Sequence, residues 1–221
     1  MRLLTLLALL SCSIIARADV TAEEMKAIEK IGKAGADVTL DEALKGKARL
    51  RVAFKKLDDK AAAVLKGSAL VVSLKVEDGR RCTDKTLAVI GTITNLQELT
   101  LAAPNATNSG VASLRGLKEL RLLYLGEAKV TDAGIAHLKG LSNLEELDVS
   151  ETGITSASAA TFKLLTALKT LSVSKTKFGD AGTAQLVELK NLKQLNAVST
   201  DVSTKGAKAL EKEIPGIVIR R

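Results

Sequence analysis

The side chains able to do bond-making chemistry in this 221-residue sequence are few and scattered. There is one histidine, His137, and there are two cysteines, Cys12 and Cys82. A metal centre normally needs several converging His, Cys or carboxylate ligands, and a nucleophile needs a base beside it. No such grouping is spelled out, and neither is a Ser-His-Asp set or a glycine-rich phosphate loop. His137 stands at a place that equivalent segments fill with Val64, Val89, Ser113, Thr161, Gln185 and Ala209, which marks a tolerant helix surface. Cys82 aligns with Val130 and Ile154 and reads as a small buried hydrophobe. Glu146 and Asp148 form a carboxylate pair of the kind used for acid–base work, but nothing around them builds a substrate pocket. The expectation is a non-enzyme without cofactor or metal.

The elements that carry these residues repeat. From Val130 to Val149 the chain holds a short helix with a capping signal, a turn, and the triple Leu144-x-x-Leu147-x-Val149. Aligned on the central residue of that triple, units fall at Leu50, Leu74, Leu99, Leu123, Leu147, Leu171 and Leu195, at intervals of 24 or 25. A truncated eighth unit, Ile214-x-x-Ile217-x-Ile219, follows after 22. A fixed period in this range is the signature of a solenoid, whose units bury their apolar sides only by stacking. On a short strand the second and third residues of each triple face one side and the residues between them face the other. A hydroxyl and a second polar residue follow, as in Thr131-Asp132, Thr107-Asn108 and Ser203-Thr204, and suit a helix N-terminus. Inside that helix one place is always small, namely Ala61, Thr86, Gly110, Gly134, Ser158, Gly182 and Gly206. Glycine costs roughly 1 kcal/mol in a helix, so its recurrence implies close approach to a neighbouring coil. Four residues on, a large apolar side chain returns, as at Leu138 and Phe162.

Both ends differ from the repeat. Residues 1–18 combine Arg2, the apolar run Leu3 to Leu10 and the small-residue site Ala16-Arg17-Ala18, which predicts a secretory signal peptide cleaved before Asp19. The alternative makes Leu9-Leu10-Ser11-Cys12 a lipoprotein box with Cys12 acylated. Loss of Arg2 and Arg17 lowers the formal charge from +8 to +6, a moderately basic surface of solvated Lys and Arg. With Cys82 alone left, no internal disulfide staples the domain. No other run is long and apolar enough to span a bilayer. Thr21 to Lys33 reads as a capped amphipathic helix with Met25, Ile28 and Ile31 on one face, and Ala36 to Leu40 as a short strand or a turn. The expected organisation is a signal peptide (1–18), an N-terminal capping helix and turn (19–47), and a solenoid of seven units plus a truncated one (48–221).

The run Val130-Thr-Asp-Ala-Gly-Ile-Ala-His-Leu-Lys-Gly-Leu, echoed by Phe178-Gly-Asp-Ala-Gly-Thr, resembles the leucine-rich repeat family. It is most similar to the secreted bacterial type abundant in planctomycete proteins, and through it to the cysteine-containing and ribonuclease-inhibitor-like subclasses. The resemblance covers roughly residues 48–221. It implies an α/β horseshoe with parallel strands on the concave side and helices on the convex side, used to bind protein partners through the concave sheet. Many such repeats carry Asn or Cys after the strand, bonding adjacent coils. Here that place holds Thr152, Thr176 and Thr200, but also Gly79, Pro104 and Ala128, so looser hydrogen bonding is expected in the first half.

The exposed concave places are the residues flanking each central Leu. Early units supply Arg49, Arg51, Ser73, Lys75 and Glu77; late units supply Thr170, Ser172, Ser174, Gln194, Asn196 and Val198. The middle supplies Thr100 and the candidate docking patch of Glu98, Leu122, Tyr124, Glu146, Asp148 and Ser150. Tyr124, the only tyrosine, beside Leu122 has the composition of an interface anchor, and the carboxylates suit a cationic partner group. The reading is therefore an exported protein-binding module; the alternative is a structural component of the cell envelope without a discrete ligand. A polysaccharide ligand is the weaker third option, since aromatics for stacking are scarce. Nucleic acid is opposed by export and by the acidic centre.

Overall fold

A computed structural model describes residues 20–41 and 49–221. The expected signal peptide, the acylation site at Cys12, the cleavage point before Asp19 and the 47/48 boundary lie outside the described residues. Helix α1 (Ala22–Lys33) begins with a reciprocal cap: the Thr21 hydroxyl accepts from the Glu24 N–H, and the Glu24 carboxylate accepts from the Thr21 N–H at 2.7 Å. Ile28 and Ile31 are buried on its inner face. The segment Ala36–Leu40 is a strand, β1, and it runs antiparallel to β2 (Leu50–Asp58). Alternation settles the choice between strand and turn, because Ala36 and Val38 face the core while Asp37 and Thr39 face outward.

From β2 onward every pairing is parallel. Strands β3 (Val71–Arg81), β4 (Glu98–Leu101), β5 (Leu122–Tyr124), β6 (Glu146–Asp148), β7 (Thr170–Ser172), β8 (Gln194–Asn196) and β9 (Val218–Arg220) follow in chain order, giving a nine-stranded sheet β1 to β9. Between them lie α2 (Asp59–Ala62), α3 (Asp84–Ile90), α4 (Asn108–Ala112), α5 (Asp132–Ile135), α6 (Ala159–Phe162), α7 (Asp180–Thr183) and α8 (Thr204–Glu213). Central leucines 99, 123, 147, 171 and 195 stand opposite one another in register. With the returning apolar residues, such as Leu114, Leu138 and Phe162, they form one continuous buried core.

The register corrects the sequence alignment at both ends. Leu74 stands opposite Val52, while Leu50 stands opposite Val71, with a one-residue irregularity between Leu50 and Arg51. The first unit is thus centred on Val52. Ile219, not Ile217, lies opposite Leu195, so the spacing stays at 24 and does not shorten to 22. In both cases neighbouring apolar residues offered two alignments, and only the pairing of backbones chooses between them.

The expected loosening of the first half is not what the sheet shows. β2 and β3 span 9 and 11 residues, against 3 in each of β5 to β9, and they stay extended through the turn. Later units instead break the strand with a left-handed residue at Glu127, Glu151, Lys175 and Ser199 (φ 66°, 59°, 55° and 56°). The threonines that follow do not reach across coils. Thr152, Thr176 and Thr200 each donate at 2.6 Å to a carbonyl of their own coil, that of Val149, Val173 and Ala197.

Coil-to-coil bonding at this edge comes from the acidic residue of the Thr-Asp pair. Asp132 accepts from both the N–H (2.9 Å) and the hydroxyl (2.7 Å) of Thr155 in the next coil. Burial by itself pushes Asp132 up, but hydrogen bonds from Ser158 and Thr155 outweigh it, and its carboxyl is held below the usual range. The helix glycines have the matching explanation. A Cβ at Gly110, Gly134 or Gly206 would overlap the Asp84, Asn108 or Asp180 side chain of the preceding coil. The close approach to a neighbouring coil that the recurring glycines implied is thus an approach to that coil's polar side chain.

Candidate docking face of the sheet

Helices and turns cover one face of the sheet, and among the described residues no element covers the other. Two rows of strand side chains cross this open face. One row runs Ala53, Lys75, Thr100, Tyr124, Asp148, Ser172, Asn196 and Arg220, because each stands beside the last in the parallel register. Glu98, Leu122, Glu146, Thr170, Gln194 and Val218 form the row before it.

All six residues of the expected patch are on this face and partly exposed. The Tyr124 hydroxyl donates to Glu146 Oε2 at 3.0 Å, which fixes the ring on the β5–β6 boundary. Burial, then the Glu146 hydrogen bond and the nearby Asp148 charge, raise the Tyr124 pKa, so the phenol stays protonated at neutral pH. Asp148 accepts from the Ser150 N–H at 2.8 Å and is partly exposed on the open face. Ser150 continues into a chain of hydroxyls, 2.8 Å from Ser172 and 2.9 Å from Ser174, which Asn196 extends by donating to Ser172 at 3.1 Å. The expected late-unit hydroxyls therefore form one connected strip.

Glu98 belongs to a different group. It accepts from Arg51 at 2.6 Å and from Ser73 at 2.8 Å, while Arg51 also donates to Asp41 at 2.8 Å. The Glu98 hydrogen bond, outweighing burial, raises the Arg51 pKa. The N-terminal end of the face is thus internally neutralised, and the structure separates Glu98 from the Tyr124 group. Arg49 is not on the face at all. It is 4% exposed and donates to both oxygens of buried Glu24, at 2.6 and 3.1 Å, tying α1 to the first coil. With the first unit centred on Val52, Arg49 takes the place that Leu144 holds before Leu147, and that place faces the covered side.

Elsewhere the chemistry is sparse. His137 is exposed on the helical side. Cys82 is fully buried, its thiol pushed up to about 11 by burial and donating to the Leu57 carbonyl. Such a thiol is inert as a nucleophile. No group of three or more His, Cys, Asp or Glu able to hold a metal occurs among the described residues, and no described helix is long and apolar enough to cross a membrane.

Comparison with known proteins agrees with the fold. The chain superposes on internalin C2 of Listeria monocytogenes with a TM-score of 0.55 and 22% identity, over 76% of this chain and 66% of that one. Another internalin of that organism gives 0.45 at 16% identity, over 71% and 55% of the two chains. A leucine-rich repeat protein of Leptospira interrogans gives 0.47 at 18% identity, over 76% and 46%. The chain therefore spans less than two thirds of the length of each. No protein-family model and no curated protein matches the sequence. The stacked units and the internalin C2 superposition establish a leucine-rich repeat solenoid.

Proposed function

We propose that this chain is an exported, non-catalytic module that binds a protein partner on the open face of its sheet. The observation that carries the reading is the contrast between the two sides of each strand. Inward places of the strands are apolar, whereas the outward places change from unit to unit while remaining in register. A surface whose chemistry varies on an invariant frame is suited to choosing a partner rather than to building the frame. Tyr124 with Leu122 supplies the anchor, Asp148 and Glu146 supply charge for a cationic group, and the hydroxyl strip from Ser150 to Asn196 supplies a polar rim.

Export rests on the residue pattern of 1–18. Mass spectrometry of the secreted protein should find Asp19 as the first residue; an acylated Cys12 as the first residue would mean lipid anchoring instead.

The docking face is tested by capture from cell-envelope extract with wild type, Tyr124→Ala and Asp148→Ala, each checked for unchanged melting. One protein retained by wild type and weakened at least roughly tenfold by either variant is expected for a central anchor. Retention unaffected by both, or only broad envelope association, overturns the reading in favour of a structural envelope role.

A further inference from the structure

Six contacts join successive coils where strand turns into helix. Five use a side chain that holds two groups of the next coil. Asp59 accepts from the N–H and hydroxyl of Thr83 at 3.1 and 2.7 Å. Asp84 does the same with Thr107 at 2.7 and 2.7 Å, Asp132 with Thr155 at 2.9 and 2.7 Å, and Asp180 with Ser203 at 2.8 and 2.6 Å. Asn108 accepts from the Thr131 N–H and donates to its hydroxyl, both at 2.9 Å.

The sixth contact, between the coils of β6 and β7, is different. Ser156 accepts only the Gly179 N–H, at 3.0 Å, and Gly179 has no hydroxyl to offer. A hydrogen bond to a neutral hydroxyl is roughly half as strong as one to a carboxylate, and here there is one in place of two.

Three further observations fall on the same boundary. The backbone bond from Lys177 N–H to the Ile154 carbonyl is 3.2 Å, while its counterparts at Lys129, Gly153 and Asp201 are 2.9, 2.7 and 2.8 Å. Gly182 packs on the ring of Phe178 in its own coil, where Gly110, Gly134 and Gly206 press on the preceding coil's polar side chain. An open depression of about 470 Å³ crosses the boundary, lined by Thr152, Gly153 and Thr155 of one coil, by Lys175, Thr176 and Lys177 of the next, and reaching Ser199 of the coil after. What fills the interior there is the Phe162–Phe178 contact, ring centres 6.1 Å apart. Such packing is non-directional and tolerates small sliding that a two-point hydrogen-bonded clamp does not.

We propose that the β6–β7 boundary is the compliant joint of the solenoid, opening at its strand-to-helix edge while the sheet side stays paired. The sheet side has what is needed to stay closed: three-residue backbone pairing and the Ser150–Ser172 bond at 2.8 Å. Opening would swing the Tyr124–Asp148 half of the open face relative to the Ser172–Asn196 half. The joint follows from the coil contacts alone and stands whether or not that face binds a partner.

Amide exchange followed by NMR tests this on the whole chain. The Gly179 N–H should show a protection factor at least about tenfold below those of the Thr155 and Ser203 N–H, once intrinsic rates are divided out. Ser156→Asp, which supplies the missing carboxylate, should raise Gly179 protection by about tenfold. Asp132→Ser should lower Thr155 protection comparably, creating a second joint. Equal protection at the three amides in the wild type overturns the proposal, as does a folded Ser156→Asp variant with Gly179 unchanged. If Ser156→Asp does not fold, the wild-type pattern and Asp132→Ser decide.

Discussion

Ser199 shows how a single residue can be out of keeping with its place. It is exposed and left-handed, with φ 56°, in a conformation that glycine adopts freely. An L-residue there costs roughly 1–2 kcal/mol, whereas a glycine adds about 0.4–1 kcal/mol of unfolded-state entropy. Ser199→Gly should therefore be stabilising by about 0.5 kcal/mol, and Ser199→Val destabilising by about 1–3 kcal/mol, read as shifts in the urea midpoint. A lower midpoint for glycine would mean that the turn is held by contacts of the serine itself. The buried Glu24–Arg49 pair makes the opposite point. Bonding to Arg49, with help from Thr21, outweighs burial and holds Glu24 at about 2. Because this folded-state value is depressed, the stabilisation is full above the ordinary carboxylate range near pH 4.5. It is lost as pH falls from there toward about 2. Glu24→Gln, which removes the carboxylate that Arg49 donates to at 2.6 and 3.1 Å, should cost about 3–5 kcal/mol. Replacing both by Met should cost far less, and equal losses in the two would show that the pair acts through shape rather than charge.

At the scale of the element, strand, turn and helix are each too short to stand alone. Strands of three residues and helical turns of three or four acquire stability only from the coils on either side. Leu147 is 1% exposed at the centre of β6, and Leu147→Ala should cost about 2–5 kcal/mol. A near-normal cooperative melt of that variant would contradict the register drawn here. The carboxylate clamps belong to this scale as well. Burial raises Asp59, yet hydrogen bonds from Thr86 and Thr83 bring it below its ordinary value, and at Asp180 the hydrogen bonds from Ser203 likewise outweigh burial. These folded-state values are depressed, so the clamps contribute fully above the ordinary carboxylate range and their contribution declines progressively as pH falls below it. Acid should loosen the strand-to-helix edge first. Hydrogen exchange between pH 5 and 3 should show the amides of Thr83, Thr155 and Ser203 losing protection before those of the central strands. Loss in the reverse order would place the acid-sensitive contacts elsewhere.

At the scale of the molecule, repetition explains both what was legible and what was not. A period of 24 in the aliphatic residues determined by itself that the chain stacks coils, that one side of each strand is core, and that Tyr124, Glu146, Asp148 and Ser150 share the other side. The reason is that burial has a fixed period, so a pattern in sequence maps onto a face in space. Ends and cross-coil contacts carry no such period. Whether Leu50 or Val52, and Ile217 or Ile219, occupies the register depended on which backbones pair. That choice buried Arg49 against Glu24 and left Arg51 to neutralise Glu98. Thr131-Asp132 was recognisable as a helix start, but its acid reaches forward to Thr155, a partner visible only when the next coil is in place. Single-sequence reading determined the frame because hydrophobic burial is collective and repeated. The tertiary structure alone decided which polar groups satisfy one another, because hydrogen bonds and ion pairs depend on distances between residues that are about 24 apart in the chain but adjacent in space.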